Sequence, residues 1–181
     1  MSLFPAQPLI ETARLQIRRF IPTDREPFIQ FMTDRESTRF LTFEEDQTTR
    51  EGAIELFELT IVAYDSEQPM LAFAIENRTT DAFVGFCGLH PHDPETVEIM
   101  YAIMPQVRRQ GYATEVATAI TRLALVDMGY RRAIAPIDPA HQASQAVVVK
   151  AGFTDCGLVQ NQGSTGIKRL FVCEQAAIDE D

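Results

Sequence analysis

A seven-residue segment between a predicted strand and a long predicted helix reads Arg108-Arg109-Gln110-Gly111-Tyr112-Ala113-Thr114. A glycine at a strand-to-helix turn lets the backbone approach a ligand closely. The N–H groups of a helix's first turn have no partner within the helix and point outward with the positive end of its dipole. Arg108 and Arg109 add positive charge beside them. The residues alone leave two interpretations, a phosphate-binding site or an ordinary helix start.

Alternating strands and helices surround this segment. Capping-box sequences begin at Thr23 and Thr48, each ahead of apolar residues at helical spacing. Further helices are predicted over 111–129, where Gly129 is the expected cap, and over 141–151. Strand-like segments lie near 14–20, 70–76, 82–89, 96–104, 131–137, 153–159 and 167–173. This order indicates an α/β or α+β layered fold.

Size and charge exclude several classes of protein. The chain has 181 residues, which fits one domain over 1–181, with residues 174–181 expected to form a flexible acidic tail. Its 16 basic and 26 acidic residues give a net charge of −10, which argues against nucleic-acid binding. No apolar run approaches the roughly 18 residues of a membrane span, and the first ten residues lack a basic leader. We therefore expect a cytoplasmic protein with no membrane partner.

Cysteine and histidine give no sign of a metal site. The cysteines Cys87, Cys156 and Cys173 are far apart, as is typical of buried thiols in a reducing compartment. His90, His92 and Asp93 have side chains that bind metals, but the prolines around them mark a turn. We expect no bound metal.

Motifs in order along the chain carry a family resemblance. Arg108-x-x-Gly111-x-Ala113 resembles the pyrophosphate loop of the GNAT N-acetyltransferases, whose pattern is Arg/Gln-x-x-Gly-x-Gly/Ala. The resemblance runs from residue 10 to about 160 and is to the ribosomal-protein (serine/alanine) N-acetyltransferase branch. The other segments that match are 10–15, 83–89, 97–101, 138–139 and 150–153.

The resemblance implies a GNAT-like α/β (α+β) fold. Its central sheet would be mixed and mostly antiparallel, with about seven strands and about four flanking helices. The fourth and fifth strands, near 96–104 and 131–137, would splay apart and hold the pantetheine arm of acetyl-CoA between them. Backbone groups around Ile99, Tyr101 and Ile103 would bind that arm. The loop residues Arg108, Arg109, Gln110, Gly111, Tyr112, Ala113 and Thr114 would hold the pyrophosphate.

The implied chemistry is direct attack of an amine on the acetyl thioester, with no acyl-enzyme intermediate. Glu98 is the candidate base, because strand alternation places it on a largely apolar face where a carboxyl pKa should rise. The alternatives are that Glu98 pairs with a basic neighbour or lies at a solvated strand end.

The acid is less well marked than the base. Many family members carry a tyrosine where this chain has Val148, so that tyrosine is absent. In the ribosomal-protein branch a serine matches Ser144 and would bond the CoA sulfur, although a first-turn serine can instead bond backbone. His141 stands where the branch usually has an asparagine that helps to fix CoA. Tyr101 either lines the cleft or packs in the core.

The sequence therefore predicts an acetyl-CoA-dependent N-acetyltransferase whose acceptor is a protein N-terminus or a small primary amine. The alternatives are a CoA-binding module that does not catalyse and a protein-interaction domain that does not bind CoA. Exposed sheet edges in this family often pair, so a homodimer is a further expectation. Residues 21–104 contain 5 basic and 17 acidic residues, whereas 105–140 contain 5 basic and 3 acidic residues. The resemblance implies that the two early helices, which lie in the acidic stretch, border the acceptor cleft. An acidic rim on that cleft would attract a cationic amine, although a surface rich in acidic residues can also serve solubility alone.

Overall fold

The computed structural model describes residues 9–67, 69–160 and 166–177. One mixed sheet contains eight strands in the order β1-β2-β3-β4-β5-β6-β8-β7. The strands are β1 (Ile10–Glu11), β2 (Leu15–Arg18), β3 (Ala72–Asn77), β4 (Phe83–Pro91), β5 (Thr96–Ile103), β6 (Arg132–Ile137), β7 (Thr154–Gln160) and β8 (Ile167–Glu174). The α-helices are α1 (Arg25–Met32), α2 (Arg35–Thr38), α3 (Arg50–Ala63), α4 (Tyr112–Arg122) and α5 (Gln142–Lys150).

The predicted fold class is confirmed, with more elements than the sequence indicated. The eighth strand is the two-residue β1, whose Ile10 and Glu11 pair antiparallel with β2. The fifth helix is the four-residue α2, capped by the Asp34 carboxylate, which accepts from the N–H of Ser37. Elements this short show no periodicity in a sequence, so hydrophobic pattern does not reveal them.

The described residues divide into two compact units. The first comprises the chain up to Cys87 together with Ala102–Gln110, and the second comprises Gly88–Tyr101 together with the chain from Gly111. In the first unit the ring of Phe20 packs edge-on against Phe28 at 5.5 Å and against Phe57 at 5.4 Å. Edge-to-face aromatic packing of this kind contributes to that unit's buried core.

In α1 and α3 the N-cap residue lies one position after the predicted one. The Thr49 hydroxyl, and not that of Thr48, accepts the N–H of Gly52 and starts α3. The N-cap residue of α1 is Asp24. It is 3% exposed, and its carboxylate accepts a hydrogen bond from the N–H of Ile21. Each segment has two adjacent residues that can cap a helix, so the sequence did not fix which of them does so.

A buried ion cluster lies in the first unit. The Arg18 guanidinium donates two hydrogen bonds to the Asp24 carboxylate, at 2.6 and 3.0 Å, and also binds Glu76. All three side chains are at most 11% exposed. The two carboxylates raise the pKa of Arg18, outweighing the effect of its burial, so the cluster is one cation held between two anions.

In the second unit β6 is the central strand. It pairs antiparallel with β8 from Arg132–Glu174 to Ile137–Arg169. Helix α4 continues into a π-helical turn over Leu123–Asp127, and Gly129 follows with a φ of 79°, as the predicted cap requires. The valine run of α5 is helical, with Val148 fully buried.

The chain end departs in part from the predicted tail. Glu174 ends β8, and Gln175–Ala177 form a 3-10 turn in which the Gln175 side chain donates to the carbonyl of Leu125. Residues 178–181 of the predicted tail lie outside the described residues. Across the described ranges, no helix combines the length and the apolar character needed to cross a membrane.

Candidate active site

The parallel pairing of β5 with β6 ends in the middle of both strands. It joins Thr96 to Arg132, Val97 to Ala133 and Glu98 to Ile134. Strand β5 nevertheless continues to Ile103 and β6 to Ile137. Strands that stop pairing present backbone N–H and C=O groups which an extended ligand can bond. The predicted splay between these strands is therefore present, and it begins after Glu98.

Tyr101 and Ser144 meet beyond the end of this pairing. The Tyr101 Oη lies 2.8 Å from the Ser144 Oγ and 3.3 Å from the Ser144 carbonyl oxygen. Burial raises the pKa of Tyr101 to about 12, although its hydrogen bond with Ser144 acts in the opposite direction. The phenol is therefore neutral at physiological pH. The Ser144 hydroxyl, for which the sequence offered backbone as a partner, bonds this side chain.

Glu98 has a basic partner, one of the alternatives that the sequence left open. Its Oε2 lies 2.9 Å from the Nε2 of His92, and the two side chains are 27% and 39% exposed. Because an ionised carboxylate only accepts hydrogen bonds, Nε2 carries the proton in that state. Sequence reasoning missed this role of His92. The available signal was the turn marked by Pro91 and Pro94. In the structure this turn is a tight hairpin, in which the N–H of His92 donates to the carbonyl of Thr96 and brings His92 near Glu98.

The residues first considered for a metal have other partners. The His90 ring packs edge-on against the His92 ring at 5.5 Å. The Asp93 carboxylate accepts the N–H of Glu95 at 2.8 Å, which lowers the pKa of Asp93. Within the part of the chain that the structure describes, no three metal-binding side chains cluster.

The start of the 108–114 loop belongs to the first unit, where protein contacts hold it. The Arg108 guanidinium donates to the carbonyl of Ile103 at 3.0 Å and to the hydroxyl of Ser37 at 2.8 Å. Arg14 donates to the carbonyl of Gln110 at 2.8 Å. Arg109 is exposed and has a φ of 63°, an unusual conformation for a residue other than glycine. Strain at one residue is common in loops that bind ligands.

The rest of the loop belongs to the second unit and begins α4. Gly111 is the N-cap residue with φ 82° and ψ 0°, a left-handed conformation that suits glycine. The side chain of Tyr112 is 9% exposed and packs into the core. The first-turn N–H groups, including those of Ala113 and Thr114, fit an anion such as a pyrophosphate.

The remaining residues predicted to bind the cofactor would do so through backbone groups on β5 or from the N-terminal end of α5. Ile99 and Ile103 are 4% and 8% exposed, so their backbone, and not their side chains, is what a ligand could bond. His141 is the N-cap residue of α5, and its N–H donates to the carbonyl of Asp138 at 2.9 Å. The Asp138-Pro139 turn that follows β6 is thus bonded to the N-cap residue of α5, which lies three residues before Ser144.

Comparison with known proteins gives one family. The family described as "Acetyltransferase (GNAT) domain" matches residues 14–154, a range that includes parts of both units. A curated relative from Bacillus subtilis (strain 168), the uncharacterized N-acetyltransferase YoaA, is 28% identical over 155 residues, which are 84% of this chain and 86% of that protein.

Two solved structures are similar in fold and bind coenzyme A. One is RimL, described as a ribosomal L7/L12 alpha-N-protein acetyltransferase in complex with coenzyme A, with a TM-score of 0.74 and 15% identity over 93% of this chain and 98% of that chain. The other is a spermidine N-acetyltransferase from Vibrio cholerae in complex with CoA and spermine, with a TM-score of 0.74 and 14% identity over 92% of this chain and 98% of that chain. At these identities the likeness concerns the fold alone.

Proposed function

Because the chain belongs to the GNAT acetyltransferase family, we propose that it transfers the acetyl group of acetyl-CoA directly to a primary amine. The observation that carries this proposal is the end of the β5–β6 pairing after Glu98 and Ile134, which opens the sheet beside a carboxylate. The family match runs through both units and supports a single acyltransferase domain. A cytoplasmic location and dimer formation stay predictions.

The described residues fit acetyl-CoA in two places. Backbone groups of Ile99, Tyr101 and Ile103, on the strand that leaves its neighbour, would bond the pantetheine arm. The left-handed Gly111 and the first turn of α4 would bind the pyrophosphate, with Arg108 bracing the loop and Arg109 adding charge. His141, the N-cap residue of α5, would help to fix CoA. When bound, acetyl-CoA supplies the acetyl group as a thioester.

Glu98 is the group that we assign to the incoming amine. A protonated amine has no free electron pair, so it must lose a proton before it can attack the thioester carbonyl. The Glu98 carboxylate would accept that proton directly or through a water molecule. His92 holds one carboxylate oxygen at 2.9 Å, which orients the carboxylate and leaves the other oxygen for the amine.

Ser144 is the group that we assign to the departing thiolate. As the carbon–sulfur bond breaks, negative charge collects on sulfur, and a nearby hydroxyl stabilises it by donating a hydrogen bond. Holding the two reactants side by side supplies much of the remaining acceleration. No residue of the enzyme carries the acetyl group in this scheme.

The acceptor that we propose is cationic before it binds. Residues 21–104 carry a net charge of −12, and Glu26 and Glu58 are exposed on α1 and α3 with 63% of their side-chain surface free. Their ion pairs with Arg25 and Arg50 involve side chains at least 37% exposed, and such pairs contribute little to stability. An acidic surface would raise the local concentration of a polyamine or of a basic N-terminal peptide.

The experiment is a screen of small amines, polyamines and N-terminal peptides with acetyl-CoA, read as free thiol. We expect thiol release that depends on both enzyme and amine, with an acetylated amine as the second product. The alternative function, a CoA-binding module, predicts that acetyl-CoA raises the melting temperature while every amine leaves the thiol yield at background. A chain that neither binds acetyl-CoA nor releases thiol would contradict both functions.

A further inference from the structure

We propose that Tyr101 is a positioning residue for the leaving group: its part-buried hydroxyl, 2.8 Å from the Ser144 Oγ, donates to that oxygen and directs the Ser144 hydrogen toward the sulfur of CoA. This inference rests on the proposed function and deepens it. It concerns a tyrosine on β5. The tyrosine that the family commonly carries on the helix corresponding to α5 is replaced here by Val148, which is fully buried.

The distances favour one of two oxygens as the acceptor of the Tyr101 hydrogen. A phenol has one hydrogen to donate, and two oxygens of Ser144 lie within reach. The Oγ is nearer, at 2.8 Å against 3.3 Å for the carbonyl oxygen. Ser144 lies in the first turn of α5, where its carbonyl serves the helix as the acceptor for the N–H four residues later. In this proposal the Tyr101 hydrogen goes to the Oγ, the nearer of the two oxygens.

This arrangement leaves the Ser144 hydroxyl with its own hydrogen to donate. A hydroxyl that already accepts one hydrogen bond is polarised and becomes a better donor in the next. Because Tyr101 keeps its proton up to about pH 12, it remains a hydrogen-bond donor throughout the working range of an amine acetyltransferase. The pair thus forms a fixed relay of two hydroxyl groups that ends in a donor.

The step balances without any proton leaving Tyr101. The bound amine first passes its ammonium proton to solvent through the Glu98 carboxylate. Its nitrogen then forms a bond to the carbonyl carbon, the second N–H proton goes to the Glu98 carboxylate and from there to solvent, and the carbon–sulfur bond breaks with its electron pair on sulfur. The sulfur accepts the hydrogen bond of Ser144 and leaves as a thiolate, which takes up a proton from solvent. The Tyr101 side chain touches neither substrate in this scheme.

The kinetic test compares Tyr101→Phe, Ser144→Ala and the double variant with wild type. A hydrogen bond of ordinary strength predicts that kcat falls about tenfold in each single variant while the KM for acetyl-CoA and amine stays unchanged. The double variant is expected to lose no more than Ser144→Ala alone, because the two groups act on one atom. Tyr130→Phe, which removes a half-buried phenol elsewhere in the same unit, serves as the matched control. Full activity in Tyr101→Phe, or losses that multiply in the double variant, would overturn the proposal.

A second readout does not need turnover. Bound CoA is titrated in each variant, and the ultraviolet absorbance of its thiolate gives the pKa of its thiol. We expect this pKa to rise by about one unit in both Tyr101→Phe and Ser144→Ala relative to wild type. A rise in Ser144→Ala alone would show that Tyr101 does not position the serine. If wild type binds CoA but acetylates no amine, the proposed function fails, and the titration still decides whether the relay exists.

Discussion

Replacing Gly111 by valine tests the proposed pyrophosphate loop, and the chain provides its own control. Gly111 begins α4 with φ 82°, and Gly129, beyond the π-helical turn that follows α4, has a φ of 79°. A side chain in this left-handed conformation costs about 1–2 kcal/mol at either site. An added Cβ at Gly129 meets nothing within 4 Å, so that site reports the strain alone. The proposed function places the phosphate beside the backbone of Gly111 and away from Gly129.

The ligand response separates the two variants. Acetyl-CoA at 100 times its dissociation constant stabilises a protein by about 2.7 kcal/mol, which raises the melting temperature of a chain this size by about 5–11 °C. If Gly111→Val weakens binding by a factor of about 100, the same concentration stabilises by only about 0.4 kcal/mol.

The assay is thermal unfolding with and without acetyl-CoA, supported by calorimetric titration. Both variants are expected to melt below wild type in the absence of ligand, and by similar amounts. Gly129→Val should keep the full ligand shift, whereas Gly111→Val should lose nearly all of it. A Gly111→Val protein that folds and responds to acetyl-CoA as wild type does would refute the assignment of this loop.

Three further substitutions test separate parts of the account. Glu98→Gln is expected to lower kcat with little change in acetyl-CoA affinity, and a pH–rate profile identical to that of wild type would count against the base role. Arg18→Met should lower the free energy of unfolding by about 3–5 kcal/mol in chemical denaturation, because Asp24 and Glu76 then stay buried without a cation. Neutralising both carboxylates as well should restore part of that loss, and no recovery would argue against a charge effect. Gly85→Ala places a methyl group 2.0 Å from a carbonyl oxygen of the next strand, so a denaturation midpoint close to that of wild type would contradict the packing.

Local sequence signals predicted most of the elements correctly. The strand predicted from 131 to 137 is found as Arg132–Ile137, and the helix predicted over 141–151 as Gln142–Lys150. The valines of that helix favour a strand by intrinsic propensity, yet burial of Val148 outweighs it. The sequence placed Gly111 at a strand-to-helix turn, and in the structure it is the N-cap residue of α4 with a left-handed backbone, a conformation that favours glycine.

Side-chain partnerships were the part that sequence reasoning did not reach. Tyr101 and Ser144 are 43 residues apart, and Arg18 and Glu76 are 58 residues apart. Such pairs depend on strand order and register, which periodicity within one element does not encode. The role of Glu98 as a base stays a prediction. Its partner His92 lies across a hairpin turn that the prolines around His92 only marked as irregular.

The central claim is direct transfer from acetyl-CoA to an amine, and mass spectrometry with isotopically labelled acetyl-CoA tests it most directly. We expect one labelled acetyl group in the amine product for each thiol released, and an unchanged intact mass for the enzyme incubated with labelled acetyl-CoA alone. A labelled enzyme that passes its acetyl group to a later addition of amine would contradict direct transfer. Bound acetyl-CoA with no labelled product from any amine in the panel would contradict catalysis itself.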